Sequence, residues 1–304
     1  MSSLEVELAG IRLKPPLILA SGILDETPET LVRMGGSGVG AVVTKSIGLE
    51  PRPGNTSPVL IETDSGLINS MGLPNPGIDA FLEEFEASKV GVPVILSIFG
   101  KTPAEFRTLA KKAKGRGFSA IELNLSCPNA AGLGQEIGLK PNMVKSITAA
   151  VKKACGMPVF VKLTPNTSDI KALALGAKAG KADGIVAINT LKGMDIDPYA
   201  KCPVLGNVFG GLSGPAIKPV GLRMVWEIRK NGFDVPIIGC GGITDHLDVV
   251  RYMLAGATAV EIGSAVYYKG YGVFKEINAG LSEYLKAEKI KNISELTGLA
   301  HGRC

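Results

Sequence analysis

Histidine is nearly absent from this chain. Two occur in 304 residues, His246 and His301, too few for a histidine-rich metal site. The five cysteines, at positions 127, 155, 202, 240 and 304, are odd in number and widely spaced, which argues against a disulfide framework. No Cys-x-x-Cys occurs, which argues against a zinc site or an iron–sulfur cluster held within the chain. There is no run of about 18 apolar residues, so no membrane span is expected. The N-terminus lacks the basic-then-apolar pattern of a secretory signal. These features lead us to expect a cytoplasmic protein in a reducing compartment. No Pro- or Ser-rich linker and no internal repeat divides the sequence, so one domain over residues 1–304 is expected. The net charge is +5, but basic clusters such as Lys111-Lys112-Ala113-Lys114 fall on expected helices without interleaved aromatic residues. They read as solvated helix faces rather than as a nucleic-acid surface. The mild positive surplus suits an anionic substrate.

What is present is an alternation of short apolar runs and longer amphipathic stretches. Strands are expected at Leu17–Ala20, Ala41–Lys45, Val94–Phe99, Ala120–Leu125, Val159–Thr164, Gly184–Asn189, Pro236–Gly239 and Ala259–Gly263. Their Val- and Ile-rich runs show little polar alternation, as expected of parallel strands buried on both faces. Between them lie helix signals. Thr102 is an N-cap with Pro103 behind it, Pro141 opens another helix, and Asp169 and Asp245 cap two more. Eight strands alternating with helices predict an α/β fold of the (β/α)8 TIM-barrel type. A doubly wound sheet is the alternative, but no Gly-x-Gly-x-x-Gly follows the first strand. The connections from Ser46 to Pro93 and from Thr190 to Pro236 are too long for a turn and a helix. We expect them to be functional loops.

Barrels of this kind place their chemistry at the C-terminal ends of the strands. There the second strand ends in Thr44-Lys45-Ser46 and the fourth in Asn124-Leu125-Ser126-Cys127-Pro128-Asn129. The fifth carries Lys162 between apolar neighbours, and the sixth ends in Asn189-Thr190. Glycines follow the seventh and eighth strands, in Gly239-Cys240-Gly241-Gly242 and Gly263-Ser264. They read either as tight βα turns or as a phosphate cradle, since glycine lets backbone N–H groups approach an anion. A phosphate-bearing cofactor would then place its reactive ring over the barrel mouth. Under an isoalloxazine ring, Lys162 would stabilise the negative charge that builds on reduction.

At this point a resemblance becomes visible. Asn69-Ser70-Met71-Gly72-Leu73-Pro74-Asn75-Pro76-Gly77, the Asn124–Asn129 segment, Thr44-Lys45-Ser46 and Asn189-Thr190 resemble the class 1 dihydroorotate dehydrogenases. Phe209-Gly210-Gly211-Leu212-Ser213-Gly214-Pro215-Ala216-Ile217-Lys218-Pro219 is similar to the NAD-linked 1B subtype. The likeness covers nearly the whole chain, with its motifs in order. It implies oxidation of dihydroorotate to orotate in de novo pyrimidine (UMP) biosynthesis. Cys127 would be the catalytic base that takes the C5 proton while a hydride passes from C6 to N5 of FMN. A free thiol titrates at about 8.5, so some thiolate is available at mildly alkaline pH. The same resemblance makes Lys45, Asn69, Ser70, Met71, Gly72, Leu73, Asn124, Asn189 and Thr190 substrate contacts. For FMN it implies Ser21, Lys45, Ser46, Ser97, Asn124, Lys162, Ile188, Gly214, Gly241, Gly242, Gly263 and Ser264. Ser97 departs from the pattern, because asparagine is expected there as a ring contact.

The resemblance also implies a route for the electrons. In the 1B subtype a separate subunit carries FAD and an iron–sulfur cluster and passes electrons to NAD. Two such subunits on a homodimer of this chain would make a heterotetramer. Two other readings stay open on sequence alone. A dihydropyrimidine dehydrogenase-like flavoenzyme would act on a ring without the carboxylate, which Lys45 and the Asn69–Leu73 loop disfavour. A non-catalytic barrel subunit would be expected to lose Cys127 or Lys162, and both are present.

Overall fold

In the computed structural model, residues 2–125 and 135–303 are described. An antiparallel hairpin, β1 (Val6–Leu8) and β2 (Ile11–Leu13), leads directly into the first barrel strand. The barrel strands are β3 (Leu17–Leu19), β4 (Ala41–Val43), β7 (Val94–Ile98), β8 (Ala120–Asn124), β9 (Val159–Leu163), β10 (Gly184–Ala187), β15 (Ile237–Cys240) and β16 (Ala259–Ile262). They close in the order β10-β15-β16-β3-β4-β7-β8-β9, and β9 pairs with β10 to complete the ring. All eight expected strands are present and every barrel pairing is parallel. β7, β8 and β9 are buried at every position, because helices cover their outer face and the barrel interior takes the other.

The helices follow the signals that announce them. α1 (Pro28–Gly35) starts at Thr27, whose hydroxyl and backbone N–H form a reciprocal capping box with Thr30. A short α2 (Ile78–Glu84) precedes α3 (Pro103–Ala113), where the Thr102 side chain accepts from Glu105 N. α3 buries Phe106, Leu109, Ala110 and Ala113, the stripe of one helical face. A single turn, α4 (Gln135–Gly138), leads to α5 (Pro141–Cys155), which Gly156 ends in a left-handed conformation at φ +70°. Asp169 and Asp245 cap α6 (Ile170–Ala179) and α8 (His246–Leu254), with α7 (Lys218–Lys230) between them. α9 (Ser264–Lys269) and α10 (Val273–Ala287) complete the outer ring.

The two long connections differ from the loops expected of them. The first contributes β5 (Leu60–Thr63) and β6 (Gly66–Asn69), and the second β11 (Leu191–Gly193) and β14 (Gly210–Ser213). These four form one antiparallel sheet in the order β11-β14-β6-β5. A small hairpin of β12 (Ile196–Asp197) and β13 (Cys202–Pro203) branches from the second connection. The pairing of Leu67 with Ser213 and of Asn69 with Gly211 satisfies backbone groups that an irregular loop would leave to solvent. The sheet thereby fixes Asn69 and Gly214 beside the barrel mouth.

Candidate functional site

A cavity of about 410 Å³ opens at the C-terminal ends of the barrel strands. Barrel strand ends bring in Ser21, Lys45, Ser46, Asn124 and Lys162, and the segment after β10 brings in Ile188, Asn189 and Thr190. The antiparallel sheet and its following loop supply Asn69, Met71, Gly72, Leu73 and Gly214. The far wall is Gly241, Gly242, Gly263 and Ser264. Residues scattered over more than 240 positions of sequence thus converge on one space, as the barrel topology requires. Two expected contacts do not line it: Ser70, whose side chain is fully buried, and Ser97. Cys127, expected as the base, lies outside the described residues together with Ser126, Pro128 and Asn129.

A chain of polar side chains runs through one wall. Asn124 Nδ2 donates to Ser46 Oγ at 2.9 Å, and Asn189 Nδ2 donates to Asn124 Oδ1 at 3.4 Å. Ser46 Oγ lies 2.8 Å from Ser97 Oγ and 3.4 Å from Ser21 Oγ. Ser97 therefore stands one layer behind the wall and orients Ser46, which does face the cavity. A serine here is too short to reach past Ser46, so its role is support. Asn189 Oδ1 accepts from the backbone N–H of Thr190 at 2.7 Å, which fixes which end of the amide is the donor.

The loop after β6 is held by residues the sequence reading gave no role. Asn75, buried within the Asn69–Gly77 motif, accepts from the backbone N–H of Gly48 and of Gly77 and donates to the carbonyl of Leu73. Asn55 Nδ2 donates to the carbonyl of Ser70 at 2.8 Å. Gly72 and Leu73 both take positive φ, +78° and +59°. A Cβ at Gly72 would stand 2.6 Å from Asn55 atoms, so glycine is required for the loop to close on Asn55. Lys45, largely buried, lies 3.3 Å from Glu26 Oε1. The Glu26 side chain is 61% exposed and can yield Lys45 to a competing anion in the cavity.

The glycines on the opposite wall are shaped for close approach. Gly241 and Gly242 take φ of +126° and +69°. A Cβ on Gly242 would lie 2.7 Å from the carbonyl oxygen of Gly214 and from Lys218 Cβ. The buried Tyr252 hydroxyl donates to the carbonyl of Gly241 at 2.7 Å and braces this loop from behind. Cys240 faces the cavity beside it, and burial pushes its thiol up to about 12, so it is neutral.

Lys162 forms part of the cavity floor. Its Nζ lies 2.6 Å from Glu261 Oε2 and 3.7 Å from Glu122 Oε1, and all three residues are buried. Burial alone would favour a neutral amine, but the two carboxyls outweigh it and raise its pKa, so Lys162 is a fixed cation. Glu122 is shifted up as well: burial, and then its neighbour Glu261, hold its carboxyl well above the usual range. Neither glutamate was singled out from sequence. The available signal was a lone carboxylate inside each apolar strand, Ala120-Ile-Glu-Leu-Asn124 and Ala259-Val-Glu-Ile262. A charge there demands a partner within the barrel.

Comparison with known proteins agrees with this arrangement. The family model for dihydroorotate dehydrogenase matches residues 3–285. "Dihydroorotate dehydrogenase B (NAD(+)), catalytic subunit" of Pyrococcus abyssi is 55% identical, over 98% of this chain and 99% of its own length. The protein of the same description from Methanocaldococcus jannaschii is 49% identical, over 98% of each chain. A crystal structure of DHODH from Eimeria tenella in complex with ferulenol superposes with a TM-score of 0.83 at 25% identity, covering 98% of this chain and 88% of the other. A matching family model, near-full-length relatives and a shared barrel converge: the chain belongs to the dihydroorotate dehydrogenase family.

Proposed function

We propose that this chain is the catalytic barrel of an NAD-linked dihydroorotate dehydrogenase, which oxidises dihydroorotate to orotate in pyrimidine biosynthesis. The observation that carries the reading is the cavity itself. It brings a fixed cation, Lys162, into one space with the amides of Asn124, Asn189 and Asn69 and with Lys45. Amide side chains offer donors and acceptors together, which suits the alternating edge of a pyrimidine ring. Lys45 supplies a cation for the substrate carboxylate, and Glu26 is the counter-ion it would release. The backbone of Gly72 and Leu73 completes that pocket.

The residues present fit FMN. The Gly241–Gly242 and Gly263–Ser264 walls line the cavity, and their glycines, free of side chains, let backbone N–H groups approach a phosphate. Ser21, Ser46, Asn124, Ile188 and Gly214 would hold the ring and ribityl chain, with Lys162 in the floor. When bound, FMN supplies the two-electron acceptor that no side chain of this protein provides. Lys162 places positive charge where negative charge gathers on reduction, and in a buried site such a charge acts with little screening. Cys127 is assigned the proton at C5 of the substrate.

The electrons then leave through a partner. The relatives named above are called catalytic subunits of NAD(+)-linked enzymes, which implies a separate electron-transfer subunit. We assign FAD and an iron–sulfur cluster to that subunit, two copies of it on a homodimer of this chain, and a cytoplasmic location. Among the described residues no helix is long and apolar enough to cross a membrane. Comparing turnover of dihydroorotate with that of dihydrouracil tests the substrate. Preference for dihydroorotate that collapses in Lys45→Ala supports the assignment; equal turnover of both would point to a ring without a carboxylate.

A further inference from the structure

β8 and β16 stand on opposite sides of the barrel, four steps apart in the ring β8-β9-β10-β15-β16. Glu122 on β8 and Glu261 on β16 nevertheless converge on one atom, Lys162 Nζ, at 3.7 and 2.6 Å. Each glutamate is 1% exposed. With both carboxyls ionised the cluster would hold two anions and one cation. Two oxygens, Glu122 Oε2 and Glu261 Oε1, would also lack any hydrogen-bond partner. An uncompensated charge and two orphaned acceptors in one buried cluster are costly together. One added proton relieves both faults. It turns an orphaned acceptor into a donor between the carboxyls and brings the cluster to neutrality. Among the described residues, the other groups facing Lys162 add no charge. Cys240 is a neutral thiol, and Ser97, which donates to Glu122 Oε1 at 3.4 Å, is a hydroxyl.

We propose that Glu122 and Glu261 share a single proton beneath the cavity floor and act as a positioning pair that sets the charge Lys162 presents to the cavity. Glu261 is its ionic partner at 2.6 Å. Glu122 does not line the cavity, carries the proton, and closes the cluster from the opposite strand. For the flavin the consequence rests on the proposed function: Lys162 faces the ring as a cation balanced by one carboxylate, neither a bare charge nor the cation of a net-negative cluster.

The proton can be seen without the flavin. In flavin-free full-length chain with ¹³C-labelled glutamate, infrared spectroscopy at neutral pH should show one protonated carboxyl band that shifts in D2O. The band should vanish in Glu122→Gln, and also in Glu261→Gln, where Glu122 loses the neighbour that keeps it protonated and ionises against Lys162. Absence of the band in the unaltered chain, or its survival in both variants, overturns the proposal. In the FMN-loaded chain, Glu122→Gln should leave the flavin midpoint potential in place, because it replaces a neutral acid by a neutral amide. The double variant E122Q/E261Q should raise the potential, because Lys162 loses both carboxyls that face it among the described residues. A raised potential in Glu122→Gln alone would show that both carboxyls are ionised, and the shared proton would be wrong. A chain that binds no FMN would remove the proposed function and leave the infrared result standing.

Discussion

Lys162 Nζ and Glu261 Oε2 are 2.6 Å apart although their strands, β9 and β16, are separated in the barrel by β10 and β15. The contact therefore spans the barrel interior and ties its two sides together just below the cavity. Lys162→Ala removes the one cation from a cluster with two buried carboxyls. Breaking a buried pair by deleting one partner costs about 3–5 kcal/mol. We expect that loss in denaturant unfolding, together with weaker FMN retention on gel filtration. Unchanged stability and unchanged flavin content would remove Lys162 from the floor of the site.

Gly242→Ala tests the far wall. The new methyl would meet the Gly214 carbonyl and Lys218 at 2.7 Å, on a backbone at φ +69° that L-residues rarely adopt. The loop must shift, and we expect a loss of about 1–3 kcal/mol with a drop in FMN affinity of at least tenfold, read by flavin fluorescence titration. Tyr252→Phe deletes the hydroxyl's bonds to the carbonyls of Gly241 and Cys240 and should reproduce a weaker form of the same defect. Full FMN affinity in Gly242→Ala would show that the phosphate lies elsewhere.

Asp25 gives the protein a pH dependence of stability with a definite sign. Its carboxyl is raised from 3.8 to about 6, chiefly by burial, against the opposing pull of Lys45. Between these values the folded chain retains a proton that the unfolded chain has released. The contribution of Asp25 to stability therefore falls as pH rises through that window and is level above it, with a total change of about 3 kcal/mol. Asp25→Asn keeps an acceptor for the Gly22 N–H, which Asp25 Oδ2 now receives at 2.6 Å, and loses the titration. Urea unfolding at pH 4 and 6 should show a steeper loss of stability in the unaltered chain than in Asp25→Asn. Identical slopes would contradict the burial of an ionisable Asp25.

The barrel was legible because each of its strands is a local signal. A run such as Val159-Phe-Val-Lys-Leu163 is apolar on both faces and is followed by a helix with its own cap, so its place needs no distant partner. The sheet of β5, β6, β11 and β14 was not legible for the opposite reason. Leu60-Ile-Glu-Thr63 is short and half exposed, and the hairpin it forms with β6 joins a sheet through β14, some 140 residues later. The site shows the same division. Lys45, Lys162 and the glycines stood out at strand ends, where position alone suggests a role. Glu122 and Glu261 acquire meaning only once opposite strands meet, and Ser97 recedes behind Ser46 for a reason of length that no linear reading contains.

Cys127 lies outside the described residues, so its assignment rests on the resemblance and on its place three residues after Asn124, at the end of β8. Cys127→Ala should bind FMN as before and lose its reduction by dihydroorotate roughly 10²- to 10⁴-fold, the usual contribution of a general base. Stopped-flow absorbance would read this directly. Fast reduction in the variant would move the base to another residue.

On this reading, a flavin held over Lys162 takes two electrons from dihydroorotate. The most direct measurement is the visible spectrum of the purified chain, anaerobically, before and after addition of dihydroorotate. We expect a yellow protein whose flavin band bleaches on addition of substrate, and whose transfer of those electrons to NAD stays slow until the partner subunit is supplied. A colourless protein that binds no FMN, or a flavin band that dihydroorotate leaves unchanged, would contradict it.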